Sequence, residues 1–271
     1  MVHAVRVPSE LDEAYLPGLF VAPGPYLDEY AAQSARARES LPWREVRYGP
    51  HESERLHFFP ATGPSAPLLV FLHGGYWQEL TEAESSFAAM DVVARGAAFA
   101  ALGYGLAPVC RLDEITEMVR RGVRWLSDNA AGLGIDPGRI VLVGHSAGAQ
   151  LAAMCLDVAT FRAVVLLSGL YELEPLLRTS IGAAIRLSPE EARRNSPVHR
   201  LRPGVPPLIT AYGADETNGF GEQQELLVTA ANAAGVSVDS LVVPGRHHFD
   251  LPLGLADPRD PLGERVLAVL H

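Results

Sequence analysis

Residues 140–154 read IVLVGHSAGAQLAAM, and this stretch decides the fold. The apolar run Ile140 to Val143 has the length of a buried strand, and a helix of small residues, Ala147 to Leu156, follows a few positions later. Between them, Gly144-His145-Ser146-Ala147-Gly148 matches G-x-S-x-G. A serine at such a junction occupies a strained strand-to-helix turn, and its small neighbours leave the hydroxyl accessible. The helix behind it aims its first backbone N–H groups at any oxyanion formed there. Ser146 is therefore the candidate nucleophile and the Ala147 N–H a candidate oxyanion donor. His145 lies within the turn and reads as a packing or orienting residue.

Working outward, further short apolar runs occur at Leu68–Leu72, Ala97–Leu102, Ala163–Leu167, Leu208–Tyr212 and Val236–Val243. Most lack strict alternation, as expected of strands covered on both faces of a parallel sheet. Helix-like segments separate them: Glu82–Arg95, Leu112–Ala131, Ala147–Leu156 and Glu222–Ala234, with Leu262–Leu270 closing the chain. Two alternating segments before them, Trp43–Tyr48 and Arg55–Pro60, read as an antiparallel hairpin. The expectation is an α/β fold in which a mostly parallel eight-stranded sheet carries helices on both faces. Residues 1–271 form one domain on this reading. In the N-terminal extension 1–43, Glu29–Leu41 reads as a short helix that lies on the surface or folds over a site. The interval 169–205 is too long for an ordinary loop and is expected to be a small lid.

Composition narrows the classes of function. The 271 residues contain 22 Lys+Arg against 32 Asp+Glu, a net charge of -10. That balance disfavours nucleic acid or an anionic membrane as partner. No basic start with an apolar run and cleavage site opens the chain, and no apolar run spans a bilayer, so the cytoplasm is the default. Cys110 and Cys155 are too few for a disulfide framework or a thiolate metal cage. No metal and no cofactor is expected, and no motif speaks to oligomeric state.

A serine hydroxyl needs a base to take its proton, and the base needs an orienting acid. In this strand–turn–helix arrangement the acid and then the histidine follow the serine in sequence. Asp215, ending Tyr212-Gly213-Ala214-Asp215, is the preferred acid, with adjacent Glu216 as its competitor. His247 and His248 follow the last strand, and position alone favours neither. After the Leu68–Leu72 strand the chain reads His73-Gly74-Gly75-Tyr76-Trp77-Gln78. Consecutive glycines let backbone N–H groups face a ligand with no side chain intervening. Gly74, Gly75 and Tyr76 thus join Ala147 as the candidate oxyanion hole.

This combination resembles the kynurenine formamidases (arylformamidases) of the α/β-hydrolase superfamily. Their H-G-G-x-W motif is similar to His73–Trp77, and their H-F-D ending to His248-Phe249-Asp250. Tyr15–Gly18, Ser34–Arg38, Ser168–Leu176 and Ala192–Pro197 also resemble family segments. One departure is Tyr104-Gly105-Leu106-Ala107-Pro108, where many relatives have an arginine in place of Gly105. The resemblance implies an α/β-hydrolase fold, selects His248 as base, and implies hydrolysis of a small-molecule aryl formamide, N-formyl-L-kynurenine. A flat leaving group would then rest among Trp77, Tyr171 and the lid, with Tyr76 narrowing the acyl side. The alternative with the same machinery is a carboxylesterase or amidase acting on other small or aryl substrates. A non-enzymatic binding protein is disfavoured, because nucleophile, acid, base and oxyanion motif are all present.

Overall fold

A computed structural model describes residues 8–271, so residues 1–7 of the expected N-terminal extension lie outside the described residues. The elements in chain order are α1 (Glu10–Tyr15), α2 (Gly24–Ser40), β1 (Arg44–Arg47), β2 (Arg55–Phe59), β3 (Ala66–Leu72), α3 (Ala89–Ala94) and β4 (Ala98–Leu102). Next come α4 (Leu112–Asp128), β5 (Ile135–His145), α5 (Ala147–Ala153), β6 (Ala163–Leu167), α6 (Ser180–Ala184) and α7 (Pro189–Arg194). The chain ends with β7 (Leu208–Gly213), α8 (Asn218–Ala233), β8 (Val238–Val243) and α9 (Pro261–Leu270).

Eight strands form one sheet in the order β1-β2-β4-β3-β5-β6-β7-β8. The first two pairings are antiparallel and the remaining five parallel. Every residue of β3, β4 and β6 is buried, as continuous apolar runs require when both faces are covered. Side chains alternate between two cores. Leu68, Val70 and Leu72 pack with Ile115 and Val119 of α4, with α5, and with Leu227 of α8. Leu69 and Phe71 face the opposite way, toward Tyr30 of α2, Val92 of α3 and Val266 of α9.

The expected helix at Glu82–Arg95 is shorter, with only Ala89–Ala94 helical. Glu82 is buried and pairs with Arg55 at 2.8 Å, so the preceding turns serve an ion pair instead of a helical face. In the N-terminal region the helix is longer than the expected Glu29–Leu41, beginning at Gly24. The interval 169–205 carries α6 and α7 with short 3-10 turns on either side.

Register positions the site. Leu72 lies opposite Gly144, which in turn lies opposite Leu166, so the carboxyl ends of β3, β5 and β6 finish together. The chain passes from β3 to β4 on one side and resumes with β5 on the other. Such a reversal leaves a crevice at the strand ends where ligands bind.

Candidate active site

Ser146 follows β5 directly and has φ 54 and ψ −120, a left-handed conformation that costs strain in a non-glycine residue. Its glycine neighbours are sterically obligatory. A Cβ at Gly144 would lie 2.1 Å from the Gly148 carbonyl oxygen, and one at Gly148 would lie 2.1 Å from the Leu72 carbonyl oxygen. The serine is thereby held against the end of β3, with Gly74 in contact with its Cβ.

The acid is where the expectation needs correction. Asp215 is exposed, whereas the Glu216 carboxylate is fully buried and accepts a hydrogen bond from His248 Nδ1 at 2.8 Å. Its other oxygen accepts from the Gly213 N–H at 2.7 Å and from Ser168 Oγ at 2.5 Å. The turn after β7 explains the swap. Asp215 donates its backbone N–H to the Arg246 carbonyl at 2.9 Å, tying the turn to the histidine loop, while its side chain points to solvent. One residue on, the Glu216 N–H donates to the Gly213 carbonyl, and the carboxylate folds back beneath the strand ends.

His248 is buried, and its ring packs on Phe220 at 4.3 Å. With Nδ1 donating to Glu216, Nε2 carries the lone pair a general base needs. His247 is turned elsewhere: its Nδ1 accepts from the Phe249 N–H at 3.1 Å and its ring meets Tyr26 edge-on at 4.7 Å. His145 donates from Nε2 to the His248 carbonyl at 2.9 Å and so holds the backbone of its neighbour. Burial, with the nearby His248 adding to it, drives the His145 imidazole well below its ordinary range, so it stays neutral.

Gly75, Tyr76 and Trp77 have φ of 89, 48 and 59, three successive left-handed residues that turn the loop tightly over the serine. Among the described residues, the N–H groups of Gly74, Gly75, Tyr76 and Ala147 make none of the backbone hydrogen bonds of the turns and loops. They are therefore available to an oxyanion. Gly74 also allows the close approach to Ser146, whose Cβ would lie 3.0 Å from a Cβ placed there.

Two expected ring contacts are corrected. Trp77 is fully buried, and its indole N–H donates to Gln150 Oε1 at 3.0 Å, so it faces the core under the loop. Tyr171 is also buried, because Gln223 Oε1 accepts its backbone N–H at 2.7 Å and its ring turns in against Gly169. Tyr76 does line the cavity, and its hydroxyl donates to the Tyr15 carbonyl. Gly105, the departure from the relatives' arginine, has Cys110 Sγ 2.5 Å from where a Cβ would sit, so a long side chain has no room there.

A cavity of about 430 Å³ opens above Ser146 and His248. Leu16, Pro17, Leu19, Leu27 and Tyr30 cover it from the N-terminal side, and Ser180, Ile181 and Ala184 of α6 from the other. The N-terminal region thus covers the cavity mainly through residues ahead of Glu29–Leu41, of which Tyr30 alone lines it. Its contribution was hidden because Leu16-Pro17-Gly18-Leu19 carries no periodicity and acquires meaning only from what lies beneath it. Elsewhere, Glu45, His57 and Glu82 gather near the β1–β2 edge, where Arg55 lies 3.8 and 2.8 Å from the two carboxylates. Among the described residues no helix is long and apolar enough to cross a membrane.

Fold and site define a serine hydrolase of the α/β-hydrolase class. Comparison with known proteins agrees: the BD-FAE family model matches residues 57–164. An esterase of Pyrobaculum calidifontis shares the fold, with a TM-score of 0.77 at 19% identity over 92% of this chain and 91% of that one. A crystal structure of a candidate thioesterase from Silicibacter sp. superposes with a TM-score of 0.84 at 32% identity, covering 95% and 99% of the two chains. Kynurenine formamidase of Danio rerio is 32% identical over 241 residues, 83% of this chain and 81% of that protein. The chain belongs to the kynurenine formamidase family.

Proposed function

We propose that this protein hydrolyses N-formyl-L-kynurenine to L-kynurenine and formate. Kinship with kynurenine formamidase of Danio rerio over most of both chains carries the reading. The chemistry follows from the geometry. His248 Nε2 takes the proton of Ser146 as Oγ attacks the formyl carbon, and Glu216 stabilises the imidazolium that forms. The oxyanion is met by the N–H groups of Ala147 and of Gly75 or Tyr76. The tetrahedral intermediate collapses with cleavage of the C–N bond, and the His248 imidazolium gives its proton to the departing arylamine. Water, deprotonated by the same imidazole, then attacks the formyl ester, releasing formate and restoring Ser146.

The strained Gly75–Trp77 turn brings Tyr76 close to the acyl side, where a formyl group needs room only for hydrogen. The aryl ring lies in the apolar cavity under the N-terminal segment, with α6 acting as the lid. A small-ester hydrolase is the second reading, favoured by an isoprenylcysteine alpha-carbonyl methylesterase of Arabidopsis thaliana that is 27% identical over 84% of this chain and 62% of that protein. The deciding measurement is kcat/KM for N-formyl-L-kynurenine, its N-acetyl analogue and phenyl acetate, with wild type and Ser146→Ala. Formamide preference lost in the variant supports the proposal. Ester cleavage with negligible formamide turnover keeps the mechanism and overturns the substrate.

A further inference from the structure

The walls of the cavity are mostly apolar, with Gln78 and Ser180 as neutral polar side chains beside the catalytic groups. Glu79 is the only formally charged side chain among the described residues lining it. The chain contains no lysine, and none of the described arginines lines the cavity. Glu79 stands where the oxyanion loop doubles back: its N–H donates to the Gly75 carbonyl at 3.1 Å, and a Cβ at Gly75 would lie 2.6 Å from the Glu79 carbonyl oxygen. Its side chain is exposed, and among the described residues the carboxylate has neither an ion pair nor a hydrogen bond. A fixed backbone thus holds an uncommitted negative charge at the rim of an apolar cavity, next to the donors that would bind the formyl oxygen.

We infer that Glu79 is a specificity residue that reads an ammonium group on the leaving arylamine, and that a carboxylate on the same tail is left in water. The inference rests on the aryl-formamide reading above and extends it to a substrate class: aryl formamides bearing a cationic amine. Bringing a carboxylate inside would remove its hydration with no lining cation to compensate, in a protein already carrying a net charge of -10. An ammonium at the rim keeps most of its water and gains the Glu79 charge. An exposed pair of this kind is worth up to about 1 kcal/mol, or roughly fivefold in binding.

Three substrates separate the charges: N-formyl-L-kynurenine, its decarboxylated analogue 3-amino-1-(2-formamidophenyl)propan-1-one, and the neutral 1-(2-formamidophenyl)propan-1-one. The expected kcat/KM for the decarboxylated amine equals or exceeds that for the parent, and both exceed the neutral compound by about fivefold through KM. In Glu79→Gln the ratio of amine to neutral compound falls toward one. A decarboxylated analogue at least tenfold worse than the parent, or an amine-to-neutral ratio untouched by Glu79→Gln, overturns the inference while leaving the formamidase reading intact. If none of the three formamides is turned over while phenyl acetate is, the formamidase reading falls and the inference falls with it.

Discussion

Asp215 and Glu216 are adjacent carboxylates with opposite fates. The bond from His248 Nδ1 to Glu216 fixes the imidazole tautomer, and a neutral amide in place of the carboxylate cannot stabilise the imidazolium. Glu216→Gln is therefore expected to lower kcat for formamide and ester alike by about 10³–10⁴-fold, with the fold unchanged by circular dichroism. Asp215→Asn, altering an exposed side chain, is expected to stay within about threefold of wild type. Equal losses in the two variants would move the acid back to Asp215. The sequence narrows the acid to these two positions and the base to His247 or His248. Which member of each pair points inward depends on where the turn after β7 folds back and on how Arg246 is engaged, and both are tertiary facts. The turn at Ser146 was legible, because its signal is local: a strand, two glycines whose Cβ atoms would collide with backbone, and a helix.

The oxyanion loop shows what an element needs beyond its motif. The H-G-G-x-W pattern marks the place, but the tryptophan works from below. Its indole N–H meets Gln150 Oε1, and Gln150 Nε2 donates to the Asn195 carbonyl at 2.9 Å, joining the loop to α5 and to the residue that ends α7. Aromatic rings beside a glycine pair read equally well as substrate contacts or as core, and only burial separates the two. Trp77→Phe is expected to leave Gln150 Oε1 unsatisfied and to cost about 1–3 kcal/mol in a denaturant melt. The loop would loosen, so kcat is expected to fall more than KM rises. A rise in KM for aryl substrates at constant kcat and unchanged stability would instead return the indole to the substrate side. Parallel strands were legible from their apolar runs, whereas the Glu82–Arg95 helix was overread, since the pairing of buried Glu82 with exposed Arg55 outweighs helical propensity in the residues before Ala89.

The cavity is closed by parts of the chain far apart in sequence, and one carboxylate joins them. Asp12 Oδ1 accepts from the Ser180 N–H and Oγ at 2.8 and 2.9 Å, linking α1 to α6 across the top of the sheet. Its Oδ2 accepts from Ser9 at 3.2 and 2.9 Å, completing the capping box of α1. The Ser180 backbone N–H above all, with the other three donors, holds the Asp12 carboxyl at about 2, against burial, which pushes the other way. An unstructured aspartate titrates near ~3.9, so the ionised form favours the folded state above that value. The contribution is lost as the pH falls from about 4 toward about 2. Asp12→Ala is accordingly expected to lower stability at pH 7, with its difference from wild type shrinking across that acidic window in denaturant melts. The same variant separates α1 from the helix that lines the cavity, while His248 and Glu216, on the loops after β8 and β7, keep their bond. KM for an aryl formamide is expected to rise about three- to tenfold, the equivalent of about 1 kcal/mol of lost positioning, with kcat for phenyl acetate little changed. A proportional fall in kcat for both substrates would mean that the N-terminal segment supports the catalytic groups themselves, and that the cover and the machinery beneath it form one mechanical unit.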